Sequence, residues 1–287
     1  VEGRGGVDSL FRSITRRSIQ LEPGSQRFGR WPLRQIQRGI QRLIETTMLP
    51  LFFCEQIPDR GDCVIEGDEA HHLGSAARIK VGERVLVTNG KGRQAEVEVL
   101  DINKRNIGAR IIDVKDFARQ KTKLTVIQAL TKGDRARETI ELLTEGGAET
   151  IVPWSASRSI GQWKEEKDAL SKWKSWAREA TKQSRRCWIP EVIDMKTTKQ
   201  IKEMIEDSEI SLLFHESATE KISKVIGGKA PKEVLLIIGP EGGISDDEAA
   251  LFESAGARAV SMGNPVFRSA HAGVAALAAI QMGYGIW

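Results

Sequence analysis

Cysteine is scarce in this chain: Cys54, Cys63 and Cys187 are its three cysteines, and no two of them form a C-x-x-C pair. The four histidines are equally scattered, apart from the neighbours His71 and His72. These absences exclude a disulfide framework and a cysteine–histidine zinc site, so no metal is expected, and they suit a reducing compartment such as the cytoplasm. No apolar run approaches the roughly 20 residues that cross a bilayer, so no membrane role is expected. The phosphate loops G-x-x-x-x-G-K-[ST] and G-x-G-x-x-G are missing as well.

What remains is a 287-residue chain with 40% hydrophobic and 29% charged residues. That composition reads as soluble and globular, with room for one large domain or two modest ones. The net charge of +4 misleads. Residues 1–47 hold nine arginines, no lysine and four acids, a charge of +5. The rest has 34 basic and 35 acidic residues, so the basic character belongs to the leader and says nothing of nucleic acid. This leader reads as a disordered tail or the product of a start placed upstream of Met48. Organellar import is the alternative, because it is rich in arginine and poor in acids.

Residues 48–117 carry short alternating runs, "CVIEG", "ERVLVTNG", "AEVEVLDI" and "NIGARIIDV", punctuated by Gly and Asn. They predict a small antiparallel barrel, interrupted by a short helix that ends near Arg78. The charged, patternless stretch 115–123 reads as a linker. From Leu124 the rhythm changes to buried strands alternating with helices, which predicts an α/β domain over 122–287 with a mainly parallel sheet. Ligands in such sheets gather beyond the carboxyl ends of the strands.

"LLIIGPEGGIS" (235–245) ends one such strand with three glycines, a proline and one acid. "SDDE" (245–248) then forms a capping box, so the helix start is satisfied by its own acids and disfavours a phosphate. Glu241 would repel a polyanion too, but it could accept from a ribose hydroxyl or lie near a cation. The residues alone leave open a tight turn with no ligand, or a turn against a flat, hydroxylated one. "FHE" (214–216) and "SMGNPVFRSAHAG" (261–273) end two further strands at the same edge. Arg268 there cannot act as a base but can bind phosphate or stabilise an anion. "KGDRAR" (132–137) and "KQSRR" (182–186) are local basic clusters, each either a solvated helix face or a contact to RNA phosphates.

"LTKGDRARETIELLTEGGAETIVPW", "AREATKQSRRCWIPEV", "IGPEGGISDDE" and "SMGNPVFR", in this order, resemble the RsmE family. These are methyltransferases of a uridine N3 in small-subunit (16S) ribosomal RNA. The resemblance spans about residues 49–287. It implies a PUA-like β-barrel followed by a SPOUT-type α/β domain with a trefoil knot, working as a homodimer on 16S rRNA, within the assembled small subunit. It also implies S-adenosylmethionine as cofactor. By position the cofactor edge would comprise Leu213, Phe214, His215 and Glu216; Ile238, Gly239, Pro240, Glu241, Gly242 and Gly243; and Met262, Gly263, Val266, Phe267 and Arg268. Arg268 would be catalytic, favouring the uridine anion during in-line methyl transfer. Lys132, Arg135, Gln183, Arg185 and Arg186 would contact RNA.

Two departures stand out. The family often reads Leu-Arg-Thr-Glu-Thr-Ala where this chain has Phe267-Arg268-Ser269-Ala270-His271-Ala272, so no carboxylate is available at 270. Lys182 replaces the acid of Glu-Gln-x-Gly-Arg. The sequence identifies no general base: His271 is a candidate by residue type only, and a lone histidine on an apolar helix reads first as structural. The competing readings are a SPOUT ribose 2′-O-methyltransferase and an RNA-binding assembly factor whose catalysis has lapsed.

Overall fold

The computed structural model describes residues 49–287 apart from 72, 75–77, 104, 134 and 164–167. The leader and Met48 lie outside the described residues, as does part of the stretch expected to end a helix near Arg78.

The alternating runs form the first sheet: β1 (Leu51–Phe53), β2 (Asp62–Glu66), β3 (Arg84–Thr88), β4 (Arg93–Ile102) and β5 (Asn106–Asp116), with α1 (Gly67–His71) after β2. The strands pair in the order β1-β3-β4-β5-β2. In β2 the side chains of Cys63 and Ile65 go inward and Asp62, Val64 and Glu66 outward, the period of two that the sequence carries. Three pairings are antiparallel as expected; β1, which no run had singled out, lies parallel to β3. Register shifts at Glu96/Val97 and Val99/Asp101 bend β4 and β5. Such bulges curl a sheet, and this one closes over a core that includes Phe52, Ile65, Leu73, Val97 and Ile107.

The second sheet follows the linker. Its elements are β6 (Lys123–Ala129), α2 (Arg135–Glu145), β7 (Thr150–Ser155), α3 (Ala169–Gln183), β8 (Glu191–Val192), β9 (Lys196–Thr197), α4 (Thr198–Glu206), β10 (Ser211–Phe214), α5 (Ile222–Val225), β11 (Glu233–Ile238), α6 (Asp246–Ser254), β12 (Arg258–Val260) and α7 (Ser269–Gly283). The order is β12-β10-β11-β6-β7-β8, with β9 also on β7, and every pair is parallel. Both faces are covered, as near-continuous apolar strands require. Val126, Leu212, Phe214 and Ile238 enter one core, while Ile127, Leu213, Leu235 and Ile237 enter the other. Helix α4 had been overlooked, although Thr197 and Gln200 form a capping box at its start.

Strand order switches beside β6, since β7 lies to one side and β11, β10 and β12 to the other. The chain leaves β12 at the sheet edge and returns through α7, which packs on α2, β6 and β11. Small residues permit this close return: a Cβ on Gly273 would stand 2.5 Å from Leu143 Cδ2.

Residues 178–189 seat the first sheet on the second. The Arg178 guanidinium lies 3.7 Å from the centre of the Phe53 ring. Lys182 Nζ donates to Glu69 Oε1 at 2.9 Å, and the Phe53 amide donates to Glu69 Oε2 at 3.3 Å. Trp188 Nε1 donates to the Phe117 carbonyl at 2.8 Å while Arg119 stacks on its ring at 4.2 Å. Both sheets belong to one compact unit, Met48–Trp287.

Candidate active site

The glycine loop begins where β11 ends. A Cβ on Gly239 would come within 2.6 Å of Ile244 Cγ1, and Gly243 has φ +74°, so both positions need glycine. Ser245 and Glu248 form the expected capping box. Burial alone would raise the Glu248 carboxyl. Hydrogen bonds from Ser157 and Ser245 outweigh it and leave the group below its ordinary value. The start of α6 is thus occupied by protein groups and offers little to a phosphate.

Beside this loop lies a cavity of about 400 Å³, within the range of small-molecule sites. Phe214, His215, Glu216, Ile238, Gly239, Pro240, Glu241, Gly243, Val266, Phe267 and Arg268 line it. A smaller hollow of about 70 Å³ shares Phe214–Glu216, Val266 and Phe267 and adds Met262 and Gly263. The three strand ends therefore meet in one place.

Two expected members do not line it. Leu213 is fully buried in the core on the opposite face of the sheet, because alternate residues of β10 point opposite ways. Gly242 faces another loop: a Cβ there would approach the Arg158 carbonyl oxygen to 3.0 Å. A valine at 242 would disturb that loop contact rather than fill the cofactor edge.

The basic clusters separate. Lys132 and Arg135 come to the cavity: the Lys132 amide donates to Glu241 Oε1 at 3.3 Å, and Arg135 lines the wall. Gln183 and Arg185 are exposed at the end of α3, away from the cavity lining. Arg186 is otherwise engaged. Its Nη1 donates to the carbonyls of Thr144 at 2.6 Å and Ala148 at 2.9 Å, and burial lowers its pKa to about 10. It closes the end of α2, an engagement that competes with the phosphate contact expected of it. Lys182 likewise belongs to the seat of the first sheet. Replacing Lys132 and Arg135 together by alanine should reduce the salt dependence of RNA binding by about one counterion per lost contact. Arg186→Ala should leave that slope unchanged and lower the melting temperature; the reverse pattern would return Arg186 to the RNA surface.

Sequence reasoning missed the groups that fix the backbone beside Arg268. Ser269, buried at the first position of α7, donates to the Gly239 carbonyl at 2.6 Å. It accepts from Gln128 Nε2 at 3.1 Å. These bonds tie the start of α7 to the glycine loop and to β6. Arg268 precedes them in extended conformation (φ −62°, ψ 143°), with its side chain exposed at the cavity. Ser269→Ala would take one partner each from the part-buried Gly239 carbonyl and the buried Gln128 amide, at about 1–3 kcal/mol. Denaturant unfolding should show that loss and calorimetry a weaker cofactor complex; unchanged values would sink the tie.

His271 meets Glu138 on α2, with Nε2 3.2 Å from Oε1, and Ala270 is buried. In His215, Nδ1 lies within hydrogen-bond distance of the Ser217 amide at 3.2 Å and of its hydroxyl at 2.8 Å. Among the described residues no cluster of three His, Cys, Asp or Glu side chains could hold a metal ion.

The cavity fits S-adenosylmethionine on its own terms. Gly239 and Gly243 line it without side chains, Phe214, Ile238 and Phe267 supply apolar surface, and Glu216 and Glu241 offer acceptors for ribose hydroxyls or a cationic ligand.

A family model described as "RNA methyltransferase domain" matches residues 118–281, and another described as "RNA methyltransferase PUA domain" matches 65–112. The chain is 35% identical over 237 residues to ribosomal RNA small subunit methyltransferase E of Mycobacterium tuberculosis, covering 80% of this chain and 90% of the relative. The protein of that name from Bacillus subtilis is 27% identical over 235 residues, covering 79% and 92%. A putative methyltransferase from Legionella pneumophila, solved in complex with bound SAM, superimposes with TM-score 0.73 at 25% identity over 82% of this chain and 97% of its own. The ribosomal RNA small subunit methyltransferase E from Neisseria gonorrhoeae, bound to S-adenosyl methionine, shares the fold at 22% identity and TM-score 0.73, over 82% and 97%. The matched domains, these relatives and the cavity at the carboxyl ends of β10 and β11 lead to one conclusion: the chain belongs to the RsmE family of ribosomal RNA small subunit methyltransferases.

Proposed function

We propose that this protein methylates N3 of a uridine in 16S rRNA, with S-adenosylmethionine as donor, on the assembled small subunit. The observation that carries it is the meeting of 214–216, of 238–241 with Gly243, and of Met262, Gly263 and 266–268 around two adjoining hollows, with Arg268 exposed beside the larger. When bound, the cofactor supplies an electrophilic methyl group on a sulfonium. The chain's own residues do the rest. The strand ends hold the donor, and Arg268 offers a permanent positive charge where uridine N3 loses its proton, which favours the nucleophilic anion. Lys132 and Arg135 guide phosphates toward the same side. Fixing both partners in line supplies the entropic part of the acceleration.

In this reading residues 48–117 are the RNA-binding module and 122–287 the catalytic one. The return of α7 past β11 and β6 is the threading step of a trefoil knot. The active form is a homodimer, for which Met282 in the last turn of α7 and Trp287 beyond it, 67% and 59% exposed, offer apolar surface; sedimentation would give twice the 31.8 kDa chain mass. Its workplace is the cytoplasm, which suits three free thiols.

Incubating undermethylated small subunits with the protein and methyl-labelled cofactor tests the proposal. Label should enter the rRNA. Tight cofactor binding without transfer to subunits or naked rRNA would contradict it, and loss of both would favour the lapsed assembly factor that Ala270 suggests.

A further inference from the structure

A second cavity, of about 570 Å³, opens on the far side of the turn between β6 and α2. The turn itself (Thr131, Gly133), the loop after β7 (Ile160, Gln162) and one face of α3 (Lys172, Trp176) wall it. The same turn borders the cofactor cavity: Arg135 lines the first, Ala136 the second, and the Lys132 amide is bonded to Glu241. A ligand here would sit one turn of backbone from the methyl donor.

The cavity is preformed. Trp173 at its back is buried and meets Trp163 edge to face at 5.4 Å, which holds the aromatic wall in place. The loop is docked so tightly that a Cβ on Gly161 would stand 2.4 Å from the Thr131 carbonyl oxygen. Yet Ile160 remains 57% exposed and Trp176 is only half-buried, so apolar surface is left uncovered beside the charge of Lys172. Aromatic surface, an exposed amide with both donor and acceptor at Gln162, and the flanking Lys172 are the components that hold an unstacked nucleobase and its phosphate.

Resting on the proposed function, we infer that this cavity takes a second nucleobase of the RNA substrate, a neighbour of the methylated uridine splayed out onto Trp176. The methylated base cannot be the occupant, because it must reach the donor on the other side of the turn. Trp176 and Gln162 thereby read the nucleotides around the target, whereas Arg268 acts on the target itself.

The test compares methylation of small subunits by the full chain and by Trp176→Ala, Trp176→Phe and Gln162→Ala. Loss of one base stack should raise the KM for subunits on the order of tenfold or more in Trp176→Ala. kcat and the dissociation constant of S-adenosylmethionine should stay within about twofold, and phenylalanine should restore most of the KM. Gln162→Ala, on an exposed side chain, should raise KM without changing the melting temperature. An unchanged KM in both alanine variants would overturn the inference. So would a Trp176→Phe variant as impaired as Trp176→Ala with a matching loss of thermal stability, since Trp176 would then be packing alone. A wild-type chain that methylates no subunits would remove the function beneath the inference, and the wild-type reaction alone would reveal it.

Discussion

Replacing Arg268 by alanine is expected to lower kcat by on the order of 10²–10³, the usual cost of removing one preorganised donor from a developing charge. The alternative role, gripping a phosphate, makes a different demand. A phosphate contact exists before and during transfer, so its loss would raise KM and leave kcat in place. Position favours the first role. Arg268 stands at the cavity that the three strand ends form, tied there by Ser269, while Lys132 and Arg135 are available for phosphates. A pH series separates the two. Without the guanidinium the uridine ionises at higher pH, so the variant's rate should keep climbing after the wild type levels off. An unchanged kcat with raised KM and a wild-type pH profile would make Arg268 a phosphate clamp.

Lys182→Met should destabilise the protein by about 3–5 kcal/mol, the range for breaking a buried ion pair from one side. The Lys182 and Glu69 side chains are 7% and 12% exposed, and Glu179 also pairs with Lys182 at 2.9 Å. Removing the ammonium leaves Glu69 charged between the two sheets, next to the Phe53 amide that it accepts from. Removing both charges should recover most of the loss, so Glu69→Gln with Lys182→Met is the decisive partner variant. Denaturant unfolding of the four proteins gives the coupling directly. A Lys182→Met protein as stable as wild type but weaker on RNA would return Lys182 to the RNA surface.

What was legible in the sequence was local. The capping box at Ser245, the glycines after Ile238 and the change of rhythm at Leu124 each rest on residues a few positions apart, and the structure has all three. The rest depended on partners far along the chain. Lys182 and Arg186 carry charge in a run that reads as solvated or RNA-facing; only the fold brings Glu69, 113 residues away, or the carbonyls of Thr144 and Ala148. Ser269 looks like any helix-start serine until Gln128, 141 residues distant, donates to it. Leu213 shows how a motif can be right while one member faces away, since a strand places alternate residues on opposite faces. Gly242 reads as a ligand contact from its motif, but the loop at Arg158 takes that space.

The most direct test of the account is the chemical identity of the product. Small subunits methylated by the protein with labelled S-adenosylmethionine would be digested to nucleosides and resolved against standards. The expected result is a single labelled species that runs with 3-methyluridine and is lost in Arg268→Ala. A label on the ribose, as a 2′-O-methyl nucleoside, would contradict the proposed transfer to N3 and the anion that Arg268 is held in place to stabilise.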